Sequence, residues 1–189
     1  YHQLFELFLS KYDAKSRFDF GAYYTPKVLA DFVVKLVNYV VAENFPGKSI
    51  YDDGNTIVDP CCGTGSFMEA LISHDPGNGS YNLCGIEILP APYMLANYRM
   101  AVLEKQNGKK NNKIKILLAN TLSNSVFNGE ANEDSIEGRE LLQANKISAL
   151  PLKLVIGNPP CSDTLRENIS DDFSIINGLM EDFRPPEAM

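Results

Sequence analysis

The sequence predicts an α/β fold with a doubly wound, mostly parallel sheet, incomplete at its carboxyl side and led by amino-terminal helices. Three observations carry this prediction. Short β-branched or aliphatic runs alternate with longer segments of helical periodicity. Four of the short runs lead into a polar or acidic residue: Asp59, Glu87, Asn120 and Asn158. The run Thr56–Asp59 then turns through Gly63 and Gly65 into the apolar-periodic start Phe67–Ile72, a strand–loop–helix layout.

Each element follows from local chemistry. Leu4, Phe5, Leu7, Phe8 and Leu9 predict a short helix with a wide apolar face, followed by an aromatic loop from Phe18 to Tyr24. Thr25 is a suitable N-cap and Pro26 suits the first helical position, where its missing N–H would be unpaired in any case. The helix that follows carries Val28, Leu29, Phe32, Val33, Leu36, Val37 and Val40 as its expected apolar face. It should end near Asn44, because Pro46-Gly47 breaks the pattern. Beyond the glycine turn, Tyr81–Glu87 reads as a second strand. Ala91–Gln106 reads as a crossover helix with Met94, Leu95, Tyr98, Met100, Ala101 and Leu103 as its apolar set. Ile114–Leu118 is a third strand, and Leu152–Ile156 a fourth. Between them Glu130, Glu133, Asp134, Glu137 and Glu140 mark an acidic stretch in which 134–146 reads as a surface helix; 173–183 is a last helical segment.

Composition narrows the function classes. At 189 residues, 44% hydrophobic and 22% charged, the chain can bury a core and is not globally disordered. A net charge of −7 is the wrong sign for a basic nucleic-acid-binding face, unless that face lies in another segment. No run of about 18 apolar residues appears, so no membrane span is expected. The beginning, Tyr1-His2-Gln3-Leu4, lacks the features of a signal peptide, and the chain reads as a portion of something longer. Cys61, Cys62, Cys84 and Cys161 form no CxxC, and neither histidine completes a zinc set. Reduced thiols in a cytoplasmic protein with no metal site are therefore expected.

Ligands of open α/β sheets bind beyond the carboxyl ends of the strands, where the strand order reverses. The glycine loop lacks both the full GxGxxG spacing and a GK[ST], and Asp59 ahead of it would repel a phosphate. An acid there suits a cationic or amino group. Asp59 either caps the next helix or receives a ligand ammonium. Glu87 is either an exposed strand-end charge or the acceptor for both hydroxyls of a ribose. Asn120 is either a turn residue or a partner for an adenine amino group. Asn158-Pro159-Pro160 is more specific. Two prolines fix the backbone, and Asn158 is held extended by the proline after it. A side-chain carbonyl and a main-chain carbonyl fixed this way can accept both hydrogens of an exocyclic amine and leave its lone pair directed at an electrophile.

In order, the segments Gly21–Pro26, Asp59–Phe67, Gly85–Glu87, Ala119–Leu122 and Gly157–Pro160 make the chain resemble the amino-terminal part of an N6-adenine DNA methyltransferase. The resemblance is to the bacterial restriction–modification group in which Tyr-Thr-Pro (Tyr24-Thr25-Pro26) precedes the glycine loop, and it spans roughly residues 18–161. It implies a Rossmann-like fold and S-adenosylmethionine as cofactor. Tyr24, Thr25, Cys61, Gly63, Gly65, Ser66 and Phe67 would form the methionine end, and Asp59 would receive its ammonium. Glu87 would hold the ribose hydroxyls beside Ile88, which lies along the adenine ring that Asn120 reaches. Asn158, Pro159, Pro160 and the residue after them would receive a flipped-out target adenine in double-stranded DNA. A target-recognition domain and a nuclease or helicase, in the same or another chain, would be partners.

One position departs from the pattern. Cys161 stands where such enzymes place an aromatic ring that stacks on the flipped base, a contact contributing about 1–3 kcal/mol. Phe173 and Phe183 are alternative rings. A second reading takes Cys161 as the nucleophile of a C5-cytosine DNA methyltransferase. That reading lacks a counterpart for the upstream Tyr-Thr-Pro and for an Asn before the prolines. Methylation of a protein glutamine, and a non-catalytic cofactor-binding fragment, are further alternatives. The expected organisation is a helical lead over 1–45, a cofactor-binding α/β core over 46–161 and the start of a post-catalytic segment over 162–189.

Overall fold

The first strand, β1 (Thr56–Asp59), is buried along its whole length, as befits the centre of a parallel sheet. In the computed structural model the described residues are 25–77, 79–107, 113–121, 139, 142, 143, 146, 150 and 152–159. The expected helices over 4–12, 134–146 and 173–183, the aromatic loop 18–24, Leu122, Pro160, Cys161, Phe173 and Phe183 fall wholly or mainly outside them.

In chain order the remaining elements are α1 (Lys27–Asn44), α2 (Ser66–His74), β2 (Asn82–Glu87), α3 (Pro90–Asn107), β3 (Lys113–Leu118) and β4 (Leu152–Val155). The sheet order is β3-β2-β1-β4, and every pairing is parallel. The order reverses between β1 and β4, which creates a crevice at their carboxyl ends. Alternation along the strands separates two faces. Ile57, Leu83 and Ile116 join the main core with residues of all three helices, whereas Val58, Cys84 and Leu117 form a smaller cluster of their own.

The helix faces differ from the sequence expectation. In α1 the packed stripe is Ala30 and Val34, both fully buried, with Val33, Val37 and Val41 beside them. Val28 and Phe32 are 81% and 60% exposed. Apolar residues cover so much of this helix that hydropathy could not say which sector would meet α2. The stripe of smaller residues is the one that packs. In α3 the buried positions are Ala96 and Met100, while Met94 and Tyr98 face solvent. A Cβ built on Gly65 would lie 3.6 Å from the Ala96 Cβ and 3.3 Å from the Met100 Cε, so α3 packs by size against the glycine loop.

The start of α1 is also corrected. Pro26 is the N-cap and the helix begins at Lys27. The Pro26 carbonyl accepts from the N–H groups of Leu29 at 2.9 Å and Ala30 at 3.1 Å, and no side chain caps the helix. The Thr25 hydroxyl is engaged elsewhere.

Candidate functional site

The site is built at the carboxyl ends of the strands, where main-chain bonds lock each loop to its neighbour. The Cys62 N–H donates to the Ile86 carbonyl at 2.9 Å, and the Ala119 N–H to the Glu87 carbonyl at 3.0 Å. On the other side of β1, the Ile156 N–H donates to the Val58 carbonyl at 3.0 Å. These bonds bring Asp59, Glu87 and the segment leading to Asn158 round one loop, Asp59–Ser66.

That loop has its own internal order. The Cys61 N–H donates to Asp59 Oδ1 at 3.2 Å, turning the chain back over the acid. Gly65 caps α2 with φ of 84°, in the left-handed region that glycine tolerates, and its N–H donates to the Cys62 carbonyl at 2.7 Å. Gly63 is also left-handed, at 53°, with open space where a Cβ would stand. The side chain of Glu87 spans from β2 to this loop: Oε2 accepts from the Gly63 N–H at 2.9 Å and Oε1 from the Leu89 N–H at 2.8 Å. A strand-end acid thus becomes the clamp of the glycine loop, with lone pairs left on both oxygens.

Burial raises the proton affinity of both carboxylates of the site. Burial is the larger cause for Asp59, which is 1% exposed, and the Glu87 charge adds to it. The Cys61 N–H opposes both, and the Asp59 pKa reaches about 7. Glu87 is also raised by burial, with the N–H groups of Leu89, Gly63 and Ile88 pulling it back. Both thiols of the loop are held protonated. Burial, then Asp59 and Glu87, push Cys61 up to about 12 and Cys62 well above its ordinary value. The loop therefore favours a cation and is poor in nucleophiles. The Thr64 hydroxyl is buried with no hydrogen-bond partner among the described residues. A buried polar atom of this kind, next to the open space at Gly63 and two acids, fits a ligand that carries positive charge and hydrogen-bonding groups.

Of the sequence-predicted site residues, Asp59, Cys61, Gly63, Gly65, Ser66, Glu87 and Asn158 lie in or directly on this loop assembly. Phe67 is 5% exposed and its ring belongs to the core. Ile88 is 45% exposed immediately after Glu87. Asn120 follows β3 on the surface, and its neighbour Thr121 donates its hydroxyl to the Pro60 carbonyl, tying this strand end to the loop. Thr25 is buried, and its hydroxyl oxygen accepts from Asn158 Nδ2 at 3.3 Å. Pro159 is exposed. Tyr24, Pro160 and Cys161 lie outside the described residues.

Sequence reasoning missed the support behind the loop. Arg99 of α3 donates to the Thr64 carbonyl and pairs with Glu69 of α2, and Lys27 of α1 approaches the same carboxylate at 3.5 Å. Glu69 thus joins three helices beneath the glycine turn. Arg99 sits between Tyr98 and Met100 of the crossover helix, and nothing in its local sequence marks it.

Solved structures of similar fold include the following three. A cryo-EM structure of a DrdV–DNA complex is 24% identical with a TM-score of 0.72, over 95% of this chain and 18% of that one. The ATP-dependent Type ISP restriction–modification enzyme LlaBIII bound to DNA is 22% identical with a TM-score of 0.65, over 85% of this chain and 12% of that one. A nuclease-deletion mutant of the Type ISP enzyme LlaGI, in complex with a DNA substrate mimic, is 18% identical with a TM-score of 0.59, over 93% and 18%. The chain spans less than a fifth of the length of each. No curated protein matches its sequence. Residues 2–183 match the sequence model of a family described as N-6 DNA Methylase, and on that match the chain belongs to this family.

Proposed function

We propose that the chain forms the cofactor-binding and base-receiving core of an S-adenosylmethionine-dependent methyltransferase that modifies the exocyclic N6 of adenine in double-stranded DNA, within a restriction–modification system. The observation that carries the reading is the placement of Asn158-Pro159 beside the acidic glycine loop at the strand-order reversal, in a chain of the N-6 DNA Methylase family. The loop's chemistry fits the cofactor: two buried acids, the buried Thr64 hydroxyl and the clear space at Gly63 suit a ligand bearing an ammonium, a sulfonium and ribose hydroxyls.

When bound, S-adenosylmethionine supplies an electrophilic methyl group. The residues of this chain do the rest. Asp59 faces the ammonium, Glu87 accepts from the ribose hydroxyls while holding Gly63, and Thr25 lies at the methionine end. Ile88 and Asn120 flank the adenine ring of the cofactor. Asn158 Oδ1 and the Pro159 carbonyl accept the two N–H bonds of the target amine and orient its lone pair. With the methyl donor held there, the amine so oriented would be alkylated on its nitrogen and would release one proton to solvent. By the same reading, residues 1–45 form a helical lead, 46–161 the core, and 162–189 the approach to further structure. Target recognition and cleavage fall to segments or partners outside this core.

The reading of Cys161 as a cytosine nucleophile gains nothing from the family match, which is to the N6 class. Two substitutions test the reading in the intact protein. Asn158→Ala should lower DNA methylation about 100-fold or more, as loss of a preorganised hydrogen-bonding group at the reacting atoms does. Cys161→Tyr should keep or raise the rate by restoring a stacking ring. A dead Cys161→Tyr variant would argue instead for a role of the thiol.

A further inference from the structure

Thr25 has the side chain of a helix cap, stands one residue ahead of the N-cap Pro26, and does not cap. The helix behind it has no side-chain cap at all. Its hydroxyl, in a residue 8% exposed, instead meets a side chain 133 positions along the chain: Asn158 Nδ2 donates to Thr25 Oγ1 at 3.3 Å.

The consequence lies in the asymmetry of an amide. One side of the asparagine head offers two N–H donors and the other a carbonyl acceptor, and only the surrounding hydrogen bonds decide which faces where. With Nδ2 bound to Thr25, Oδ1 occupies the other side of the head. The opposite flip would aim donors at a target amine, which also presents donors. The main chain beneath is fixed separately. A Cβ on Gly157 would come within 2.7 Å of Asp59 Oδ1 and 3.4 Å of Cys61 Sγ, so the turn before Asn158 is packed hard onto the glycine loop. The backbone is thus set by the loop, while the amide head needs a partner that holds it with Nδ2 inward.

We infer that Thr25 is the positioning residue for Asn158, its hydroxyl accepting the Nδ2 hydrogen so that Oδ1 is presented as the acceptor for the target amine. The inference rests on the adenine-N6 reading and adds to it a link between the first helix and the base-receiving turn. Thr25 acts on the reaction through Asn158, beyond any contact it makes with the cofactor.

The test is steady-state methylation of unmethylated double-stranded DNA by the intact protein, with the S-adenosylmethionine affinity measured separately by calorimetry. Thr25→Val, which keeps the shape and loses the hydroxyl, should lower kcat at saturating cofactor about 10- to 100-fold, and Thr25→Ser should restore it to within about threefold. Melting curves come first. If Thr25→Val does not fold, Thr25→Cys, with only a weak sulfur acceptor, takes its place. A Thr25→Val enzyme whose rate recovers fully at saturating cofactor would overturn the inference and leave the adenine reading intact. Absence of adenine methylation by the unaltered protein would strike the reading itself.

Discussion

Replacing Glu87 by Gln changes one oxygen to an amino group and leaves the shape of the side chain. In the folded chain both carboxylate oxygens are engaged, by the Gly63 N–H at 2.9 Å and the Leu89 N–H at 2.8 Å. Gln can accept only one of these bonds, and its NH2 then confronts the other N–H as donor against donor. A hydrogen bond to a charged group contributes about 1.5–3 kcal/mol, and the surviving bond falls to about half strength on becoming neutral. Against this, the variant is relieved of a buried charge that the fold already disfavours. On the proposed reading, the relief acts with and without cofactor, whereas the weaker acceptor for the ribose acts on binding alone. The folded state should therefore change by at most about 2 kcal/mol, while S-adenosylmethionine binds about 10- to 100-fold more weakly. Calorimetry on the unaltered protein, Glu87→Gln and Glu87→Asp measures this directly. The Asp variant keeps the charge but is too short to span both N–H groups, and should lose affinity as well. If Glu87→Gln binds within about twofold of the unaltered protein, the clamp does not contribute to the cofactor site as argued.

Two further outcomes follow from the same loop. Asp59 is raised to about 7 in the folded chain from 3.8, so between those values the folded state holds a proton that the unfolded state has released. Its contribution to stability therefore declines as pH rises from about 4 to about 7 and is level above. A cation beside it favours the carboxylate, so cofactor affinity should strengthen with pH up to about 7, with Kd roughly tenfold weaker at pH 6 than at pH 8 and one proton released per cofactor bound at the lower pH. Asp59→Asn should remove this dependence, and a Kd indifferent to pH over the same range would contradict it. Arg99→Met removes the donor to the Thr64 carbonyl and the partner of Glu69, and should cost about 1–3 kcal/mol in urea unfolding. Arg99→Lys should recover only part, because an ammonium cannot match the guanidinium fork; an unmoved midpoint would remove Arg99 from the support of the loop.

The strands and their order of use were legible because β-branched runs ending in acids or amides need no distant partner to be recognised. Asp59, Glu87 and Asn158 stand where the alternation of strands and helices places them. The helix faces were less legible. Hydropathy marked Val28 and Phe32 of α1 as core, and they are exposed, since the selection was made by how closely Ala30 and Val34 let α2 approach. Thr25 satisfied every local rule for a cap and was recruited by Asn158, a partner no local pattern names. Arg99 and Glu69 escaped notice for the same reason, their partners lying 35 and 30 residues apart in sequence. What sequence pattern cannot supply is the pairing of side chains across elements, and the loop's rigidity depends on it.

The central claim is tested most directly by incubating the intact protein with methyl-labelled S-adenosylmethionine and unmethylated double-stranded DNA, then digesting the DNA to nucleosides and locating the label. The account predicts label in N6-methyldeoxyadenosine, lost with Asn158→Ala. Label in 5-methyldeoxycytidine, or adenine labelling that survives Asn158→Ala undiminished, would contradict it.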